Sequence, residues 1–180
     1  MSKLTTILFV AFILFSCKND KTPENKEEIA PKTEINTFKV AFDLTVLKDD
    51  NFHLYYTQDG TINFDEKQSV WLPVKGSANQ QEIVFNLPED VIPTHLRVDF
   101  GFGKNEAQSD IVLKSFKMNY LDKKFEATDG QIFNYFYPNE LSTIVDKTTF
   151  RLKKVKKDQE SGPSLYPQIG LTEEITKMTR

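Results

Sequence analysis

Between Thr37 and Leu47 the chain alternates. Phe38, Val40, Phe42, Leu44 and Val46 interleave with Lys39, Ala41, Asp43, Thr45 and Leu47. Successive side chains of a strand leave on opposite faces, so five apolar residues at a period of two predict a strand with one face buried. The pattern recurs. Phe52, Leu54 and Tyr56 alternate with His53, Tyr55 and Thr57, and further alternating sets are Val70–Leu72–Val74, Ile83–Phe85–Leu87, Leu96–Val98–Phe100–Phe102 and the late pair Phe150 and Leu152. Ile111 and Leu113 start another strand whose phase changes before Phe116, Met118 and Tyr120, which predicts a bulge near Lys114–Ser115.

Turn residues separate these runs: Asp59-Gly60, Gly76-Ser77, Pro88, Pro93, Gly101, Gly103 and Asp129-Gly130. Many short strands punctuated in this way predict an all-β protein, an antiparallel β-sandwich resembling a jelly roll, over residues 37–180. The 15 Phe and 6 Tyr suit strands and a packed core. Asp59-Gly60 marks a tight turn, with Ile62 and Phe64 as a short return strand. A short C-terminal helix is predicted from Thr172 as N-cap, Glu173 and Glu174 in the first turn, and Leu171, Ile175 and Met178 on one face. Ile132, Phe133 and Phe136 fit one helical turn or another strand equally well.

The first residues are an address. Lys3 supplies a positive start and Leu4 to Phe15 an apolar run, the order of a secretory signal. As a helix that run rises about 18 Å, well short of a hydrocarbon core of about 30 Å. Leu14-Phe15-Ser16-Cys17 resembles a bacterial lipobox, with Phe15 where most carry a small residue. The resemblance implies a signal peptide over 1–16, cleavage before Cys17, and a diacylglycerol on its sulfur with an acyl chain (palmitate or similar) on its amine. Lys18, not Asp, follows the cysteine. That start is similar to lipoproteins of the Bacteroidota type and implies the outer membrane, periplasmic or surface-facing. Residues 17–36, rich in Lys, Glu, Asn and Thr with Pro23 and Pro31, read as a flexible tether after the lipidated cysteine.

Composition then narrows the chemistry. Cys17 is the single cysteine, and His53 and His95 are the two histidines. An internal disulfide is excluded, as is a structural zinc site of four Cys or His ligands. A net charge of −3 lacks the basic footprint of a nucleic-acid binder. No Gly-x-Ser-x-Gly elbow is present. The acids Asp43, Asp49, Asp50, Asp59, Asp65, Glu66, Asp99 and Asp110 fall at turns or opposite apolar residues, with no pair that stands out as a glycosidase couple. Asp59, Asn63, Asp65 and Glu66 make an oxygen-rich stretch. It lacks EF-hand spacing, but by analogy with jelly-roll binding domains it is a candidate for a structural calcium; the plainer reading is an exposed turn. No other cofactor is expected.

If the strand phases hold, Tyr55, Trp71, Arg97 and Asp99, with His53, point away from the core. Trp and Tyr rings offer flat faces to the apolar C–H faces of sugars, and Arg and Asp orient hydroxyls. These residues are the candidate ligand site, and the plainer alternative is a Trp71 covered by a loop or by the C-terminal segment. The expected function is a membrane-anchored, non-catalytic binding module whose ligand is a glycan or an envelope partner protein. The alternatives are a structural or assembly lipoprotein that binds an envelope protein, and an enzyme acting on polysaccharide.

Overall fold

A computed structural model describes residues 36–180. Cys17, the signal peptide and the tether expected before Asn36 lie outside the described residues. Eleven strands follow one another: β1 (Lys39–Val46), β2 (Asp50–Thr57), β3 (Ser69–Val74), β4 (Ser77–Asn86), β5 (His95–Phe100), β6 (Ile111–Tyr120), β7 (Lys123–Thr128), β8 (Phe136–Pro138), β9 (Thr143–Asp146), β10 (Arg151–Lys154) and β11 (Ser164–Pro167). A 3-10 turn (Asp129–Asn134) precedes β8, and helix α1 (Ile169–Thr179) ends the chain. The segment around Ile132–Phe136 is thus both things the sequence allowed, a helical turn and then a strand.

The strands form two antiparallel sheets, one of order β4-β1-β6-β10-β9 with β7 on β6, the other of order β3-β2-β5-β11-β8. The chain crosses between sheets repeatedly, from β1 to β2, β3 to β4 and β5 to β6. Six of the nine strand pairings therefore join strands that are not consecutive in the chain, as in Greek-key sandwiches. Pro73 sits in β3 at a sheet edge, where the missing N–H costs no ladder bond. Among the described residues no helix is long and apolar enough to cross a membrane.

The alternation does what the sequence requires of it. Val40, Phe42, Leu44 and Val46 of β1 and Phe52, Leu54 and Tyr56 of β2 all turn inward and are buried. Phe42 is the hub of the core. Its ring lies 5.3 Å from Phe116 and 6.5 Å from Phe85 in its own sheet, and 5.4 Å from Phe100 and 6.2 Å from Phe136 in the facing one. The expected bulge is present: Asp43 pairs with Ser115 and Leu44 with Leu113, so Lys114 has no partner on β1. That extra residue restores an inward direction to both halves of β6, Ile111–Leu113 and Phe116–Met118. Gly162 lets the chain pass close to the end of β5, because a Cβ there would stand 2.1 Å from the Phe100 carbonyl oxygen.

Four local expectations need correction. Phe150 stays outside β10, in a turn at φ +54°, so only Leu152 of the late pair lies in the strand. Ile62 and Phe64 form no strand, because residues 58–68 are an irregular loop and the return strand is β3. Phe102 does not continue β5 inward. The strand stops at Phe100, Gly101 takes φ +129°, and Phe102 turns out to solvent. Thr172 lies inside α1, which starts at Ile169 after Gln168. The Gln168 amide instead donates to the Phe133 and Phe136 carbonyls at 2.5 and 3.3 Å, tying the helix to the 3-10 turn and β8. Leu171, Ile175 and Met178 do form its buried face.

Candidate functional site

Residues directly opposed in antiparallel strands share a face. The register sets His53 opposite Trp71 on one side and opposite Asp99 on the other, Tyr55 opposite Arg97, and Tyr166 opposite Tyr137. Burying Phe52, Leu54 and Tyr56 leaves the odd-numbered residues of β2 no other direction. The outer face of the five-stranded sheet therefore gathers Trp71, His53, Tyr55, Arg97, Asp99, Tyr166 and Tyr137. All four candidate ligand residues come together here. With strands about 4.8 Å apart, four intervals from β3 to β8 make a row of about 19 Å.

At its centre the Arg97 guanidinium stands 4.7 Å from the ring centres of both Tyr55 and Tyr166. Its Nε and Nη2 donate to the two Asp99 carboxylate oxygens at 2.9 and 2.6 Å. The Asp99 side chain is only 7% exposed. Burial pushes its carboxyl above the usual range and the Arg97 fork pulls it back. This is a fixed, two-point pair held between aromatic walls.

Next to it His53 lies between Trp71 and Tyr55, ring centres 3.7 and 3.8 Å away. Although it faces outward it is 1% exposed, because those rings cover it. Its Nε2 has no hydrogen-bond partner among the described residues. Burial, and then the charge of Arg97, push its pKa down to about 4 from 6.5. The folded protein thus holds a neutral imidazole where the unfolded chain would take a proton, so stability is full above pH 6.5 and falls as the pH drops toward 4. Linkage puts the loss at about 3 kcal/mol across that window. His53→Phe is expected to flatten this part of the profile; urea titrations at pH 7.5 and 4.5 check it, and an equal pH dependence in both proteins would contradict the assignment.

Loops complete the face. Phe102 meets Trp71 edge-on at 4.8 Å, and Phe64 lies edge-on to Tyr55 and Tyr166 at 6.3 and 6.0 Å. The ends of the row are the open parts, with Trp71 37%, Phe102 60% and Tyr137 43% exposed. Trp71 is thus partly flanked by a loop without being hidden by it. Near β8, Tyr137, Asn139 and Tyr166 line a shallow pocket of about 260 Å³.

The oxygen-rich loop is otherwise employed. Asp59 accepts from the Thr61 amide and hydroxyl at 3.0 and 2.9 Å, Asp65 accepts from the Lys67 amide at 2.8 Å, and the Asn63 amide donates to the Thr61 hydroxyl at 3.3 Å. These are turn-capping bonds. Among the described residues no three His, Cys, Asp or Glu side chains gather as metal ligands. Asp43, on the other sheet, is held by Ser115 and Lys117, each at 2.7 Å.

The site residues absent from the expectation are Tyr137, Tyr166, Phe64, Phe102 and Asn139. Tyr137 and Tyr166 sit in strands of three and four residues, too short for periodicity to show. Their one signal is a tyrosine directly before proline, in Tyr137-Pro138 and Tyr166-Pro167, which favours extended backbone. Compared with protein-family models, with curated proteins and with solved structures, the chain matches none.

Proposed function

We propose that residues 37–180 form a non-catalytic binding module, held at the cell envelope by lipid on Cys17, whose outer five-stranded face takes a glycan. The observation that carries this reading is the row from β3 to β8, with rings on four strands and the Arg97–Asp99 pair on β5 between them, open at both ends. Sugars present flat C–H faces to such rings and hydroxyls to polar groups between them. The centre of the row is built to be rigid. Asp99 accepts both donors of the Arg97 fork, which suits a positioning role better than proton transfer, and Arg97 in turn props Tyr55 and Tyr166. Rigid rings lose little freedom on binding, which favours affinity.

The test has two arms. The full chain is probed on a glycan array beside Trp71→Ala, and cells producing wild type or Cys17→Ser are fractionated. Wild type is expected to bind a defined glycan set and Trp71→Ala to bind it about tenfold more weakly, a difference of about 1.4 kcal/mol. Cys17→Ser is expected to leave the membrane fraction. Silence of both proteins on the array removes the glycan; recovery of an envelope protein with the wild type in that case favours the assembly role. Continued membrane association of Cys17→Ser removes the anchor.

A further inference from the structure

We propose that the Tyr137–Asn139–Tyr166 pocket is a subsite for one neutral pyranose unit, and that the face as a whole excludes uronic acids and other anionic sugars. This rests on the glycan reading above and adds its location and charge class.

The geometry supplies the stacking. Tyr137 and Tyr166 are cross-strand partners with ring centres 5.9 Å apart and planes tilted by 34°. They form two walls of an open pocket of about 260 Å³, room for one sugar ring seated with its C–H face on a tyrosine. Tyr166 is held from behind by the Arg97 guanidinium, and its edge is met by Phe64. Asn139 is held by its backbone: its amide donates to the Ser164 carbonyl at 3.0 Å, and its carbonyl accepts from the Ser142 and Thr143 amides at 2.9 and 2.8 Å. The pocket is therefore pre-formed.

Polar groups left over in the pocket are neutral. The Asn139 side-chain oxygen accepts from the Leu141 amide at 3.1 Å, which directs its Nδ2 elsewhere. Among the described residues that Nδ2 and the hydroxyls of Tyr137 and Tyr166 have no hydrogen-bond partner. Each suits a sugar hydroxyl. The cation at the centre of the face gives no welcome to an anion. Two of the three Arg97 nitrogens already face Asp99, so the pair presents almost no net charge. A carboxylate placed on Tyr166 would find the Arg97 charge already taken up by Asp99, and the exposed Glu140 next to Asn139 in the chain adds negative charge. Like charges brought together in this way weaken binding without any steric clash.

Calorimetric titration of the full chain tests this, with two sets of probes matched in length. The neutral set is glucan, mannan and chitin oligosaccharides; the anionic set is oligogalacturonate and oligomannuronate. At least one neutral probe is expected to bind, and every uronate to bind at least about tenfold more weakly at low salt. Asn139→Asp keeps the acceptor for Leu141, loses the Nδ2 donor and adds a charge at a surface position; it is expected to weaken the neutral probe by about tenfold, as is Tyr166→Ala. Asp99→Asn frees the Arg97 charge and is expected to narrow the gap between the two sets, with circular dichroism confirming the fold. Uronates that bind as well as neutral sugars overturn the charge selection while the glycan reading stands. A neutral probe lost in Trp71→Ala but unchanged in Tyr166→Ala and Asn139→Asp overturns the subsite and moves the contact to the other end of the row. Binding of no probe overturns both.

Discussion

Phe42→Ala is expected to cost about 3–5 kcal/mol, toward the upper end for a buried phenylalanine. Its ring is fully buried and touches four other phenylalanines, two in each sheet. Removing it takes away the transfer energy of the ring and leaves a void that those rings fill only by leaving their rotamers. Edge-to-face contacts with Phe85 and Phe100, both at 84°, are lost as well. Domains of this size hold about 5–15 kcal/mol in total, so the variant should melt roughly 10–15 °C lower. Phe102→Ala is the control. That ring is exposed, and its loss should stay within about 0.5 kcal/mol. Denaturant titration of both variants is the measurement. A loss below that of an ordinary methylene deletion at Phe42 would show that the two sheets are not fastened through this ring.

Arg97→Ala should do comparable damage for a different reason. It strands the Asp99 carboxylate, 7% exposed, without its two donors. Breaking a buried pair on one side costs about 3–5 kcal/mol, because the remaining charge is neither solvated nor paired. The pH dependence identifies the cause. Burial raises the Asp99 carboxyl, and without Arg97 nothing opposes it. The folded variant then binds a proton more readily than the unfolded chain, whose carboxyl titrates at 3.8. Stability therefore rises relative to wild type as pH falls, and the deficit should be largest at high pH and shrink as the pH drops through the raised titration of Asp99. His53 acts in the opposite sense, and its share is weakened in the variant, since part of its depression comes from the Arg97 charge. Adding Asp99→Asn to Arg97→Ala should recover most of the loss at pH 7.5. A deficit that does not change with pH would mean that lost packing between Tyr55 and Tyr166, and not a stranded charge, accounts for the damage.

The strand faces were legible in the sequence because one residue of phase error would have exposed Phe52, Leu54 and Tyr56. That constraint alone put Tyr55, Trp71, Arg97 and Asp99 on an outer surface, and the phase break in β6 located the bulge at Lys114. Periodicity carries no information on which strands become neighbours. It could not show that β11 lies between β5 and β8, and so could not bring Tyr166 beside Arg97. Nor could it show that His53, outward by phase, would be covered by two rings. Phe64 and Phe102 were read into strands because they continue an alternating pattern. The loop around Gly60 and the turn at Gly101 redirect both onto the sheet face. Thr172 looked like a cap, but the helix starts earlier, at Ile169, where no side chain caps it and Gln168 bonds instead to two carbonyls on the neighbouring segment.

The position of β11 has a consequence for the order in which the molecule is made. Among the described residues it is the last strand, four residues long, yet it occupies an inner place in its sheet and alone pairs β8 with the rest of that sheet. A ribosome or a translocon releasing the chain from its front end would deliver Trp71, Tyr55 and Arg97 early, beside an uncapped β5. The row would stay incomplete until the closing residues emerged. Such distant pairings are slow to form, and an uncapped β5 is an invitation to stray strands. A stop signal or a protease nick ahead of Ser164 would forfeit two strands at once, and with them every aromatic contact on that half of the face.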